Sequence, residues 1–319
     1  SFVVGIACWY LLKNREKRFA VSSIKIGAIV GLFAGVMLAI TGDGSAYQVA
    51  QKQPMKLAAM EGLYEGKTGA GLVAAGVLNP DKKSYNDGVD PFLFKIELPG
   101  MLSFFAERDL DSFVPGIKDI IGGYTKSDGT IVPSLAERID KGKLVQQALT
   151  DYGKAKAAKD EAQKQIHRKT IQDNINHFGY GYMTSPEQLI PPVGLTFYSF
   201  HIMVILGGYF ILFFLIILIL IYKKEDIKPV WLKWVALISI PAAYITSQLG
   251  WVVAEVGRQP WAIQDILPTF SAISKIPASS VQITFFLFLI VFTALLIAEL
   301  RIMIKQIKTG PEFDLNAKN

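Results

Sequence analysis

Four stretches of the chain are apolar almost without interruption, at residues 26–42, 197–222, 230–254 and 281–300. Each offers about 17 to 26 positions, the length a helix needs to cross roughly 30 Å of hydrocarbon. The pattern predicts a transmembrane helix for each. A fifth apolar run, "SFVVGIACWYLL", opens the sequence and is too short to span. A signal peptide would carry its positive charges ahead of the apolar run, whereas "KNREKR" follows it here. The run is therefore expected to be the end of a helix that begins upstream.

Polar positions divide the rest. Lys13, Arg15, Lys17 and Arg18 follow the first run; Lys223, Lys224, Lys228 and Lys233 surround the link between the third and fourth apolar blocks counted with it; and Arg301, Lys305 and Lys308 follow the last. Short basic loops stay in the cytoplasm, so one topology satisfies all three groups and puts 43–196 and 256–280 outside. The expected organisation is the end of one transmembrane helix and a complete second one in 1–42, an extracytoplasmic loop in 43–196, three transmembrane helices in 197–305 and a cytoplasmic tail in 306–319. A loop of that length is expected to have a function of its own. Within it, "EGLYEGKTGAGLVAAGVLNP" is glycine-rich and is expected to be irregular. "LAERIDKGKLVQQALTDYGKAKAAKDEAQKQIHRKTIQDNI" reads as polar helix in two pieces, broken near Gly153. The fold class is an all-α integral membrane helix bundle with a large extracytoplasmic loop.

Composition agrees with embedding in a membrane. Of 319 residues 51% are hydrophobic and only 19% charged, and the mean hydropathy is +0.34, all on the membrane side of soluble-domain values. The formal net charge of +6 lies beside membrane segments, which favours a role in orientation over nucleic-acid binding. Cys8 is the single cysteine, so neither an intrachain disulfide nor a Cys/His metal cluster is available. Phosphate-loop, nucleophile-elbow and zinc-helix signatures are absent.

Candidate chemistry gathers at the ends of two blocks. In "GWVVAEVGRQPWAI" (250–263), Trp251, Glu255 and Arg258 are spaced by four and three residues, one face of a helix that Pro260 would end. Glu255 and Arg258 could be a solvated pair at a helix end, yet "QPW" rather than a polar loop follows, and ionisable groups at membrane depth tend to be functional. In "FYSFHIMVILGG", His201 and Met203 are both haem-ligand types. They lie about 200° apart around a helix, so they do not readily serve one haem face. Chemistry alone favours His201, since a lone Met in a span is usually core. His167 and His177 are expected on the surface. Lys56 and Glu61 in "KLAAMEGLYE" read in isolation as an ordinary charged turn.

Together these stretches resemble subunit I of the cytochrome bd quinol oxidases. The resemblance rests on "GWVVAEVGRQPWAI", "FHIMV", "KLAAMEGLYE" and "FKIELPG", and extends to "SFVVGIACWYLLKNRE" and "IAEL". It covers essentially the whole chain, from the end of the family's fifth helix through its ninth. It implies that Met203 ligates a low-spin haem b and that Glu255 is associated with the iron of a high-spin haem b. Trp251 would pack between haems and Arg258 would lie near haem propionates. Lys56 and Glu61 would take part in quinol oxidation, with Asp43 an acidic residue at the start of the loop. A third haem, of d or b type, a second subunit, the upstream part of subunit I and a small accessory subunit complete the implied assembly. Quinol and oxygen are its substrates, and the bacterial inner membrane its location.

One residue departs from the family. His201 stands where the family usually has arginine, which predicts a shifted haem potential if that cation is not replaced. A second option is that His201 takes Met203's place as ligand. The competing function is a membrane sensor or transporter with an extracytoplasmic ligand-binding domain, for which intramembrane ionisable residues and a large loop would also serve.

Overall fold

The computed structural model describes residues 1–224 and 227–311. The short first helix, α1 (Phe2–Leu12), is followed by α2 (Lys17–Lys52). The apolar block 26–42 lies inside α2, which continues through Gly42, Asp43 and Gly44 instead of ending where the hydrophobic run ends. Nothing there obliges it to stop. The Thr41 and Ser45 hydroxyls donate to Met37 and Thr41 carbonyls one turn back, at 2.9 Å each, and no proline occurs before Pro54. Gln53, with φ −136°, leaves the helix just ahead of Pro54, as sterics require of a residue preceding proline. The loop expected from residue 43 thus begins ten positions further on, at Gln53.

A second short helix, α3 (Pro54–Glu61), starts with proline in its first turn and stops at Gly62, whose φ of +61° is the left-handed conformation glycine adopts without strain. Strands follow: β1 (Lys67–Thr68), β2 (Leu72–Leu78) and β3 (Phe92–Leu98). The stretch expected to be irregular therefore contains a strand, with β2 and β3 antiparallel in the register Val73↔Glu97 and Val77↔Phe94. Its glycine has a packing reason. A Cβ on Gly76 would meet the Phe92 ring at 3.1 Å, so the aromatic closes over bare backbone.

The rest of the loop comprises α4 (Met101–Glu107), β4 (Phe113–Val114, paired with β1), α5 (Ile117–Gly122), β5 (Tyr124–Thr125, paired with β6, Ile131–Val132), α6 (Leu135–Ala157) and α7 (Glu161–Asn174). The break between α6 and α7 falls at Ala158–Asp160, not at Gly153. A glycine in an exposed helix costs only about 1 kcal/mol. Asp160, in contrast, caps α7 by accepting the N–H groups of Ala162 and Gln163 at 3.1 Å, after Lys159 has turned left-handed.

Two 3₁₀ segments lead into α8 (Val193–Lys224); then come α9 (Val230–Glu255), a small β7–β8 pair (Trp261–Ile263 with Leu267–Pro268) and α10 (Ala278–Thr309). Among the described residues, four helices are long and apolar enough to cross a membrane, those built on α2, α8, α9 and α10. The helical bundle expectation stands, and among the described residues the loop adds three two-stranded antiparallel pairs, with β7–β8 a fourth beyond α9. Of the expected tail 306–319, α10 takes the part up to Thr309, and 312–319 lie outside the described residues.

The chain divides into two compact units. One holds Ser1–Gly31, Phe213–Pro241 and the chain from Ile273 onward. In it the Tyr10 hydroxyl donates to Ile307 O at 2.6 Å and Arg15 donates to Lys308 O at 3.1 Å, fixing the end of α10 to α1 and the turn after it. The other unit holds Leu32–Leu212 and Ala242–Ala272. Its core packs Met55, Ala58, Ile117, Leu135, Tyr180, Leu189 and Trp261 together. Trp261 is only 3% exposed and meets the Tyr180 ring edge-on at 4.9 Å. That burial is why "QPW", and not a polar loop, follows Arg258. Every candidate site residue belongs to this second unit.

Candidate functional site

The structure brings Lys56 to the end of α9. That helix stops at Glu255, so Arg258 stands in the turn beyond it and not on the same helical face as Trp251 and Glu255. The approaching Pro260 accounts for this, because the residue ahead of a proline disfavours helical geometry. The ion pair forms regardless, with Arg258 Nη2 donating to Glu255 Oε2 at 2.6 Å. Gly257, in the same turn, leaves room for neighbours. A Cβ there would stand 3.1 Å from Thr196 Cγ2 and 3.4 Å from Lys56 Cε. Burial, and then the Arg258 guanidinium, hold the Lys56 ammonium below the usual lysine range, while Glu255 acts in the opposite direction. Arg258 Nε is buried and has no hydrogen-bond partner among the described residues.

Glu61, at the last position of α3, is 2% exposed. Its Oε2 accepts the Val73 N–H at 3.3 Å. Burial pushes its carboxyl up to about 8; the Val73 hydrogen bond opposes this and the nearby Glu97 charge adds to it. Glu61 lines a cavity of about 490 Å³ together with Tyr64, Lys67, Phe92, Lys95 and Lys118. A buried carboxyl that holds its proton near neutrality, in a cavity with basic and aromatic walls, is equipped to exchange a proton with a small ring-shaped ligand.

On α8, His201 is buried and both its ring nitrogens face carbonyl oxygens. Nδ1 lies 2.9 Å from Phe197 O and Nε2 2.8 Å from Val73 O. The imidazole also lies over the Phe197 ring, with centroids 4.0 Å apart. Met203, two residues on, points its sulfur toward α9, where a Cβ on Gly250 would meet Sδ at 3.3 Å. Trp251 is 62% exposed, so its indole is available to a group outside this chain.

Asp43 is held differently from the other candidates. Both of its oxygens accept from Arg108, Oδ1 from Nη1 at 2.8 Å and Oδ2 from Nη2 at 2.7 Å, a bidentate pair tying α2 to the end of α4. The structure thus brings Lys56, Glu255 and Arg258 together, links Glu61 to His201 through Val73, and sets Asp43 in an anchor. His177, expected on the surface, is half-buried beside Tyr180, and burial holds it below the usual histidine range.

Sequence patterns did not reveal four participants. Val73 acts through its backbone, which no side-chain pattern reveals. Gly250 opens the quoted "GWVVAEVGRQPWAI" but counts only because Met203 approaches it. Arg138 and Tyr180 form a buried network in which the Tyr180 hydroxyl accepts from Arg138 at 3.3 Å and donates to Asp265 at 2.6 Å, while Arg138 also donates to Ile120 O. The run of polar residues around Arg138 disguised it as a solvated helix.

Comparison with known proteins identifies the family. The chain is 32% identical over 313 residues to the cytochrome bd-II ubiquinol oxidase subunit 1 of Escherichia coli (strain K12), covering 97% of this chain and 59% of that protein. It is 28% identical to the cytochrome bd ubiquinol oxidase subunit 1 of Bacillus subtilis (strain 168), covering 98% and 54%. The chain therefore spans little more than half the length of these relatives. Among solved structures, the bd oxidase of Geobacillus thermodenitrificans shares its fold with a TM-score of 0.61 at 21% identity, over 97% of this chain and 54% of that one. The family model for cytochrome bd terminal oxidase subunit I matches residues 1–311, and the chain belongs to that family of membrane proteins.

Proposed function

We propose that this chain forms the quinol-oxidising part of the haem-carrying subunit of a quinol:oxygen oxidoreductase, and that its loop unit joins the quinol site to the haem site. The observation that carries this reading is the meeting, within one compact unit, of Lys56 with Glu255 and Arg258, and of Glu61 with the helix that bears Met203. A sensor or transporter needs no such meeting of a carboxylate and two cations, and nothing in the comparisons favours one.

The residues fit haem. Met203 offers a soft thioether suited to low-spin iron, and Glu255 a carboxylate for a high-spin haem b. The half-buried Lys56 and the Arg258 guanidinium, whose Nε is unpartnered, supply cations suited to propionates. When bound, haem supplies an iron that takes up and passes on one electron at a time.

The remaining work belongs to the chain. The Glu61 cavity holds the quinol head group; Glu61, whose carboxyl ionises near neutrality, gives its own proton to the loop side and, as the carboxylate, then takes one from the quinol as it is oxidised. Lys56 orients a quinol oxygen or its neighbouring carboxylates by charge. Two quinols give four electrons and four protons, and one dioxygen consumes four of each to form two waters. Basic residues flanking the helices support a loop on the extracytoplasmic side, and on this reading the membrane is the bacterial inner membrane. Protons released there and others consumed from inside separate charge without a pumping step. Subunit II, the upstream part of subunit I and a small accessory subunit complete the complex.

The test is quinol-driven oxygen uptake by the full complex carrying Lys56→Gln or Glu61→Gln. Each substitution should lower turnover at least about tenfold while dithionite still reduces the haems. Unchanged quinol turnover in both variants would remove the reading.

A further inference from the structure

Among the described residues β2 has one strand partner, β3, so its other edge needs partners for its backbone. In an extended strand the N–H and C=O of one residue point to the same side. Val73 uses both on that free edge. Its N–H donates to Glu61 Oε2 at 3.3 Å and its C=O lies 2.8 Å from His201 Nε2. One peptide residue therefore stands between the carboxyl at the cavity wall and a side chain of the helix that carries Met203. Further along the same edge, the Leu78 N–H donates to the Tyr198 hydroxyl of α8 at 3.0 Å. The irregularity in the β2–β3 pairing immediately after Val73 leaves this segment less constrained by β3 and more dependent on α8.

We infer that His201 is a positioning residue for quinol oxidation: its Nε2–H holds the Val73 carbonyl, and through Val73 it sets the place of the Glu61 carboxyl in the cavity. This rests on the reading of Glu61 as the quinol-facing acid. It also gives His201 a role distinct from iron ligation. Carbonyl oxygens stand 2.9 and 2.8 Å from the two ring nitrogens, so whichever one carries the proton, neither has its in-plane direction open to a metal.

The ring geometry supplies the test. A glutamine amide nitrogen reaches about as far along the side chain as Nε2, whereas an asparagine nitrogen reaches only as far as Nδ1. His201→Gln keeps the bond to Val73, and His201→Asn can reach only Phe197 O. In the full-length oxidase complex, quinol KM and kcat are measured beside the infrared carboxyl stretch of Glu61, assigned by its loss in Glu61→Gln. His201→Asn is expected to shift that band and raise KM about tenfold, and His201→Gln to restore both. The double variant His201→Asn/Glu61→Gln should be no worse than Glu61→Gln alone.

An unmoved carboxyl band in His201→Asn, or effects that multiply in the double variant, would overturn the inference. If the Asn variant does not assemble, His201→Gln decides alone: a wild-type band and KM support the role, and a shifted band despite the retained donor overturns it. If Glu61→Gln leaves quinol kinetics unchanged while the band still answers to His201, the bridge stands and the quinol reading falls.

Discussion

The sulfur of Met203 approaches the backbone of Gly250 so closely that a methyl group on that glycine would stand 3.3 Å from it. This is tighter than ordinary van der Waals contact. The missing side chain on α9 therefore helps to set where the thioether of α8 rests.

Gly250→Ala should displace the sulfur by a few tenths of an ångström and perturb the low-spin haem band in a reduced-minus-oxidised spectrum. Gly208→Ala is the control, since a Cβ there meets nothing within 4 Å among the described residues. Equal spectra for the two variants would show that the Gly250 contact does not govern the ligand.

Glu61 predicts a pH dependence of stability. Its carboxyl is raised from 4.5 to about 8 in the folded chain, so between those values the unfolded chain loses a proton that the folded chain keeps. Stability should therefore fall as pH rises through that window, by at most about 1.4 kcal/mol per pH unit from this group. Thermal unfolding of the complex from pH 5 to about 8 should show a shallower decline in Glu61→Gln than in wild type. Parallel curves would mean that the carboxyl ionises normally.

The buried network predicts a purely structural defect. Tyr180→Phe removes the 2.6 Å donor to Asp265 and the acceptor facing Arg138, and should cost about 1–3 kcal/mol. Chemical denaturation would read the loss. Haem spectra and quinol KM should stay near wild type, because the network joins α6 to the β7–β8 pair and touches neither Glu61 nor Met203.

Asp43 and Arg108 should behave as one unit. Since both carboxylate oxygens are taken by the guanidinium, Asp43→Asn and Arg108→Gln are expected to give the same modest change in quinol KM, and the double variant no more. A much larger loss for Asp43→Asn than for Arg108→Gln would restore Asp43 to a direct chemical role.

The spans were legible because twenty-odd apolar positions in a row have few other uses, and the motif around Glu255 was legible because ionisable groups are rare there. What escaped detection depended on contacts distant in sequence. The continuation of α2 past Asp43 goes with the absence of proline before Pro54, which does not show in a hydropathy pattern. The glycine-rich stretch hid a strand because Gly76 is explained only by Phe92 across the hairpin. Arg258 kept its pairing with Glu255 although the helix had ended, since a turn before proline can still direct two long side chains together. His201 looked like a ligand because the two carbonyls that engage it are Phe197, four residues away, and Val73, far off in the loop.

The most direct test is the reduced-minus-oxidised absorbance spectrum of the full complex with Met203→Leu beside wild type. Loss of the low-spin b band, with the other haem bands retained, is the result this account predicts. A low-spin band unchanged by the substitution would contradict it and move the ligand elsewhere.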